Sequence, residues 1–353
     1  MIGLKQLVLG LRRIGLPLCA LMVAAVLLCR VPASAWNVIG EHALFCAVGL
    51  RHPAEQQAAS VQEPSGGMVS APTYPSDPRG YTEVVPVSAI PPKGDGGGAV
   101  TEETIGGSPV VGAVAIKNTS GVTYDTASLL ADRLEPVTGD EVQVLIVHTH
   151  ASECYMSYYA GYYNADDPTR SDDPSQTVVA VGETIARELR ARGIGVIHDT
   201  TRHDMTYSGA YARSAETVKR HLAAHPTIRV VLDIHRDAVM YEDGTKVKPT
   251  ATVDGQKAAQ VMMIVGGTSS EELPNPHCKE NLRLGLQLHN ALETAHGGLM
   301  RPLYLMDARY NQELHAGSLL LEVGTDANTL SEALYSGRLI GEQLALLLSN
   351  GGS

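Results

Sequence analysis

Basic residues are in the minority: 27 Lys and Arg stand against 38 Asp and Glu, a formal charge of −11. Little in such a chain would neutralise a run of phosphates, which excludes a sequence-independent nucleic-acid binder. Aromatic residues are few, one Trp and one Phe beside 14 Tyr, so the apolar runs are made of Val, Ile and Leu. The five cysteines form no disulfide framework. Cys19 and Cys29 fall in an N-terminal apolar segment, while Cys46, Cys154 and Cys278 are scattered and odd in number. Neither Cys19 nor Cys29 follows a small residue, as a lipoprotein site would require, and no catalytic role is expected of any cysteine. Internal repeats are absent, and so is a local zinc signature of the His-Glu-x-x-His kind.

What is present begins at the N-terminus. Lys5, Arg12 and Arg13 precede Ile14–Cys29, sixteen residues without a charge. That length approaches the ~17–25 residues of a spanning helix, and the basic residues before it predict a cytoplasmic N-terminus. Residues 1–35 are therefore expected to be a membrane anchor. The alternative is a signal segment cleaved after Ala35, since Ala33-Ser34-Ala35 reads as a signal-peptidase site. Either way the rest of the chain is exported, as a single-pass cell-membrane protein or a secreted one. Residues 36–123 are rich in Pro, Gly, Ser and Ala ("QEPSGGMVSAPTYPSDPRG", "PPKGDGGG") and are expected to form a disordered tether, because they cannot bury enough apolar surface to offset the entropy of ordering.

Residues 124–353 alternate between short apolar runs and helical periods. "VQVLIV", "IGVIHD", "IRVVLDI", "RPLYLM" and "SLLLEVG" read as strands. "TATVDGQKAAQVMMIVGG" reads as two strands around an Asp254-Gly255 hairpin turn. Helices are expected over Thr177–Gly193, residues 210–226, "NLRLGLQLHNALETAHG" and "TLSEALYSGRLIGEQLALLLS". The fold class is α/β, with a mostly parallel central sheet flanked by helices. Ligands of such sheets bind beyond the carboxyl ends of the strands.

Three strand ends carry polar residues that a plain core would not choose. The first is His148-Thr149-His150-x-x-Glu153, whose His-x-His spacing puts both rings on one face if the backbone is extended. The second follows Ile228–Ile234 and carries Asp233, His235, Arg236 and Asp237; the two aspartates could equally pair with Arg236. The third is Glu322, between Leu321 and Val323, where a carboxylate is unfavourable unless paired or functional. Imidazoles and carboxylates converging on one sheet edge point to a metal-centred site, with zinc the expected ion. Tyr155 and Tyr158, in the Tyr-rich stretch after the first motif, are candidates to line a substrate groove. His198, Asp199, His203 and Asp204 are expected to form a structural hydrogen-bond network.

"HTHASECY", "GIGVIHDTTRHDMTYSGAYARS", "IRVVLDIHRDA" and "LLLEVGT" occur in an order that resembles the stage II sporulation protein P family. The likeness runs from about Thr138 to Asn350. It implies a zinc-dependent peptidoglycan hydrolase, an N-acetylmuramoyl-L-alanine amidase and D,D-endopeptidase acting on glycan strands and stem peptides during engulfment, with stage II sporulation proteins D and M as partners. It implies His150 and His235 as zinc ligands and Glu322 as the catalytic carboxylate, with Arg236 or His148 helping at the oxyanion. The third ligand departs from the related amidases, which place a Glu at the start of the first helix. Glu153 is preferred in its place and Asp173 is the alternative; His148 is then a neighbour of the ligands or a ligand itself. Two other readings stay open: a degenerate, non-catalytic wall-binding scaffold, and a zinc carboxypeptidase using Arg236 or Arg309 to hold a terminal carboxylate.

Overall fold

A computed structural model describes residues 90–136, 141–267 and 274–350. The expected anchor or signal segment and residues 36–89 of the expected tether lie outside the described residues. Among the described residues, no helix is long and apolar enough to cross a membrane.

Along the described chain come β1 (Gly98–Glu103), β2 (Ile116–Asn118), α1 (Thr126–Ala131), β3 (Val142–Val147), β4 (Tyr162–Tyr163), α2 (Val178–Ala191), β5 (Gly195–His198) and α3 (Ala210–Ala224). Then follow β6 (Val230–Asp237), β7 (Lys246–Val253), β8 (Gln256–Ala259), β9 (Val261–Gly266), α4 (Cys278–Ala295), β10 (Leu303–Met306), β11 (Ser318–Thr325) and α5 (Leu330–Asn350). The main sheet has seven strands in the order β2-β10-β9-β11-β6-β3-β5. Every neighbouring pair is parallel except β9 with β11. The expected mostly parallel α/β sheet is therefore present.

Strand β3 shows why the runs are apolar throughout. Val144 and Ile146 pack into the main core with Val181 and Ile185 of α2 and Leu344 of α5. Leu145 and Val147 face the other way, against Val218 and Leu222 of α3. Both faces are covered, so alternation of polar and apolar residues is lost. Helix α2 buries Val178, Val181, Ile185 and Leu189 at helical spacing. Thr177 caps its start by accepting a bond from the Val179 N–H at 3.2 Å.

Two expectations change. The Asp254-Gly255 turn is present, with φ of 50° and 78° as a two-residue hairpin requires. The run after it, however, is two strands in two sheets: β8 pairs back onto β7, and β9 enters the main sheet between β10 and β11. Gln260 stands at the crossing and satisfies the backbone there. Its amide accepts from Ile105 N–H at 2.7 Å and donates to the carbonyls of Ile105 and Gly298.

The second change concerns the tether. Residues 98–103 and 116–118 are folded: β1 pairs with β4 and β7 in a four-stranded sheet ordered β4-β1-β7-β8, and β2 edges the main sheet along β10. The folded part thus begins before residue 124. Composition misled here because Gly98 serves close packing rather than freedom: a side chain on it would meet the Tyr163 ring at 2.7 Å and the Gly244 carbonyl at 2.9 Å. Glu102 on β1 also reaches Lys248 at 3.1 Å, and Lys248, 2 % exposed at its side chain, pairs with Glu332 at 2.6 Å.

Behind the end of β3 lies a buried chain of polar groups. Strand β3 stops at Val147, and the following turn sends His148 away from His150. His148 Nδ1 is 3.1 Å from the Ile234 carbonyl, and its Nε2 is 2.8 Å from His198 Nε2. The carbonyl only accepts, so His148 Nδ1 donates, its Nε2 accepts, and His198 Nε2 donates to it. His198 Nδ1 in turn faces Glu183 at 2.9 Å. Burial, then the neighbouring His198, lowers the His148 pKa to about 3, so the ring is neutral. The expectation that His148 and His150 share a face fails because the backbone there is a turn, not a strand.

The ring pair fits only because residue 182 is glycine. A side-chain carbon there would lie 2.6 Å from His148 Cε1 and 2.9 Å from His198 Nε2. In an open helix Gly→Ala stabilises by about 1 kcal/mol. Gly182→Ala is expected to do the reverse, lowering stability by about 1–3 kcal/mol through overpacking, as read by urea unfolding. A variant as stable as the parent would show that the pair yields freely.

Candidate metal centre

The parallel register gathers the three polar strand ends. Val147 lies opposite Asp233, and His235 lies opposite Glu322, with β6 between β3 and β11. A bulge follows Glu322, where three β11 steps match two on β6. Gly324 makes it possible at φ +71°, with no room for a side chain beside Asn328 Oδ1 at 2.7 Å.

His235 is the hub. Its Nδ1 is 3.4 Å from Glu153 Oε2, and its Nε2 is 2.9 Å from Asp233 Oδ1. The second contact is close but not aligned as a hydrogen bond, so Nε2 is a buried nitrogen without a hydrogen-bonding partner. Burial opposes charge on this ring, yet Asp233 and Glu153 outweigh it and raise its pKa well above the ordinary value. Asp233 is itself fixed by the Thr149 N–H at 2.8 Å and the Thr149 hydroxyl at 2.6 Å. Against the opposing effect of burial, His235 and these donors lower Asp233 to about 2. The turn after β3 is thus tied to the middle of β6.

His150 faces His235 with ring centroids 5.4 Å apart. Neither of its nitrogens makes a hydrogen bond, although the residue is buried. Burial, then His235, lowers its pKa to about 4, which leaves the neutral form a metal would take. Glu153 is buried on the other side of His235, and the Arg236 N–H donates to its Oε2 at 3.2 Å. Burial would raise its pKa, but His235 and then Arg236 hold it down at about 2. Glu322 is different. It is partly buried, its Oε2 is closed off without a partner, and burial followed by Asp237 pushes its pKa up to about 8.

The other expected site residues sit elsewhere or act otherwise. The Arg236 guanidinium binds the carbonyls of Cys154 at 3.2 Å and Thr169 at 2.6 Å, so it braces the loop rather than an oxyanion or a substrate carboxylate. Asp173 is exposed and caps the one-turn helix at Pro174–Gln176 by accepting from Ser175 N–H at 2.9 Å; it is no part of this cluster. Tyr155 is buried and donates to the Val323 carbonyl at 3.0 Å. Tyr158 is buried against Asp167 at 2.7 Å. Both hydroxyls are thus engaged within the fold, while the two residues line a small cavity with Met156, Asp167 and Gln176. Asp237 pairs with Arg301 at 2.9 Å, not with Arg236.

Several neighbours carried no decisive signal in the sequence. Tyr207 and Tyr211, after β5 and in α3, pack on His150. Arg170, partly exposed, bonds Asp204 at 2.8 Å and Ser152 at 2.9 Å and comes within 3.9 Å of Glu153. Asp204 belongs to the structural network expected of its segment, as does Asp199, which meets His221 at 2.7 Å.

Among the described residues, no three His, Cys, Asp or Glu side chains stand ready-grouped for a metal ion. The donor set nonetheless fits one. Two buried imidazoles offer unpaired nitrogens, and Glu153 and Asp233 flank His235 on either side. That is the nitrogen and carboxylate chemistry zinc takes.

Comparison with known proteins gives the chain its relatives. The model of the family described as Stage II sporulation protein P matches residues 108–345. Stage II sporulation protein P of Bacillus subtilis (strain 168) is 30% identical over 213 residues, 57% of this chain and 50% of that protein. The match thus spans half the length of that relative. Solved structures that align include the apo N-acetylmuramyl-L-alanine amidase Ami1 of Mycobacterium abscessus, at 14% identity and a TM-score of 0.35, covering 61% of this chain and 97% of that one. The N-acetylmuramoyl-L-alanine amidase AmiC2 of Nostoc punctiforme aligns at 13% identity and 0.33, covering 61% and 96%. Scores of that size carry no residue roles across. The family match covers most of the described fold and all three polar strand ends, and the chain belongs to the stage II sporulation protein P family.

Proposed function

We propose that this chain is a zinc-dependent peptidoglycan hydrolase of sporulation. Its reaction would cut the amide between the lactyl group of muramic acid and L-alanine, and D,D cross-links between stem peptides, during engulfment. One observation carries the reading: His150, Glu153, His235 and Glu322 meet on three adjacent strand ends, with imidazole nitrogens and a carboxylate oxygen buried and unpaired. Family membership supports the sporulation setting. A membrane anchor in residues 1–35, or secretion after Ala35, and stage II sporulation proteins D and M as partners belong to the same proposal.

His150, His235 and Glu153 would hold the ion, with Asp233 fixed beside His235 by the Thr149 N–H and hydroxyl. Bound zinc would supply Lewis acidity toward the amide carbonyl and toward water. Glu322 suits a proton carrier near neutral pH: its carboxylate would take a proton from water and return it to the departing amine. Arg236 acts as a positioning residue, because its main-chain N–H holds Glu153 while its guanidinium fixes the loop that bears it. Arg170 is the partly exposed basic group nearest Glu153, available to an anionic part of the stem peptide. The scaffold reading has one observation in its favour: α2 starts Val178-Val179-Ala180, with no acidic residue in its first turn where the related amidases place a Glu.

Metal counting on the purified full chain separates the assignments. His150→Ala and His235→Ala should each lose zinc, and Asp173→Ala should keep it. Comparing Glu153→Ala with Asp233→Ala identifies the third ligand, with loss expected in the first. On purified sacculi, mass spectrometry should find free stem peptides from the amidase and separated cross-links from the endopeptidase. Glu322→Gln should keep its metal and slow both by about 10²-fold or more. A metal-loaded parent that releases nothing, and matches Glu322→Gln, would leave the scaffold standing.

A further inference from the structure

Metal-binding histidines usually donate their second ring N–H to a carboxylate or carbonyl, which fixes the rotation of the ring. His235 has such groups on both sides, but His150 has none. Its Nδ1 and Nε2 are both buried without a hydrogen bond. Rings surround it instead. Tyr207 lies parallel to it, with centroids 4.8 Å apart and planes 9° apart. Tyr211 meets it edge-on at 5.7 Å and 87°, and His235 at 5.4 Å and 78°.

The Tyr207 ring comes from a turn that is held from behind. Arg213 of α3 binds the carbonyls of His203 at 2.7 Å, of Thr206, and of Ser208 at 3.2 Å. Gly209 lets that turn enter α3 in a left-handed conformation, φ +78°. Arg170, itself anchored on Asp204, places its guanidinium carbon 5.4 Å from the Tyr207 ring centroid. The residue is 37% exposed, so its ring stands at the surface side of His150 as a flat wall rather than in the core.

The geometry points to Tyr207 as the positioning residue for His150: a stacked aromatic ring, in place of a hydrogen bond, sets the rotation of this imidazole. The inference rests on the proposed assignment of His150 to zinc. Stacked aromatic rings prefer a defined relative geometry. That preference acts through the flat ring, so phenylalanine should replace tyrosine and alanine should not. The stack also explains how a buried ring with no hydrogen bond can stay in one rotamer.

The test is zinc affinity of the full chain, read by competition with a chelator. Tyr207→Ala should weaken zinc about 10–100-fold, the range for losing an orienting partner of a ligand. Tyr207→Phe should stay within about threefold of the parent, since it keeps the stack. Met205→Ala, in the same turn and 75% exposed, controls for disturbance of the loop and should match the parent. With cobalt in place of zinc, the visible absorption should change in Tyr207→Ala and not in Tyr207→Phe. If Tyr207→Ala binds zinc like the parent with the same cobalt spectrum, the inference fails while the assignment of His150 stands. A Tyr207→Phe variant as weak as Tyr207→Ala also overturns it, because the hydroxyl and not the stack would then be responsible. A parent chain that binds no zinc removes both readings together.

Discussion

Parallel pairing of β6 with β3 on one side and β11 on the other sets Val147 beside Asp233 and Glu322 beside His235. Parallel strands end at the same edge of a sheet, so their carboxyl-terminal turns must share one patch of surface. Everything chemical in this molecule follows from that shared edge. His150 arrives from the turn after β3, Asp233 and His235 from β6, and Glu322 from β11. A register slip of one residue on β6 would turn His235 to the opposite face and dissolve the cluster.

The edge is held together largely by charge in a poorly hydrated place. His235 stands between Glu153 and Asp233, and in the ion-free molecule its own proton provides the positive charge that the two carboxylates require. Buried carboxylates without such compensation would be strongly unfavourable. Glu322 has no equivalent partner, and its pKa moves in the opposite direction. Neighbouring carboxylates on the same edge are thus driven apart in acidity by their contacts, the arrangement expected where one group binds a cation and another carries a proton. Farther out, the Lys248–Glu332 pair and the Glu102 contact fasten β1 and the second sheet to the start of α5, so the N-terminal strand is part of the same body.

Much of this was legible from residue order. The strands β3, β5, β6, β10 and β11 and the helices α2 to α5 fall within a few residues of their sequence-based positions, because apolar period and Gly or Pro stops are local signals. The grouping of His150, Glu153, His235 and Glu322 was readable for a related reason: each is a polar residue at the end of an aliphatic run. The oxyanion role expected of Arg236 was misread because a side chain's direction is set by its partners. In Arg236 those are the carbonyls of Cys154 and Thr169, far away in sequence. Gly98 was taken for flexibility when it serves close contact with Tyr163, and composition alone cannot tell these apart.

The sequence by itself determined the α/β class and the identity of the polar strand ends, since both depend on neighbours along the chain. Tertiary structure decided which of those groups meet. It turned His148 inward to His198 and left His150 facing His235, because β3 ends one residue before the pair. It put Asp173 on an exposed cap and brought Tyr207 over His150 from more than fifty residues away. Direction and proximity across strands arise only when the sheet closes, and no local pattern encodes them.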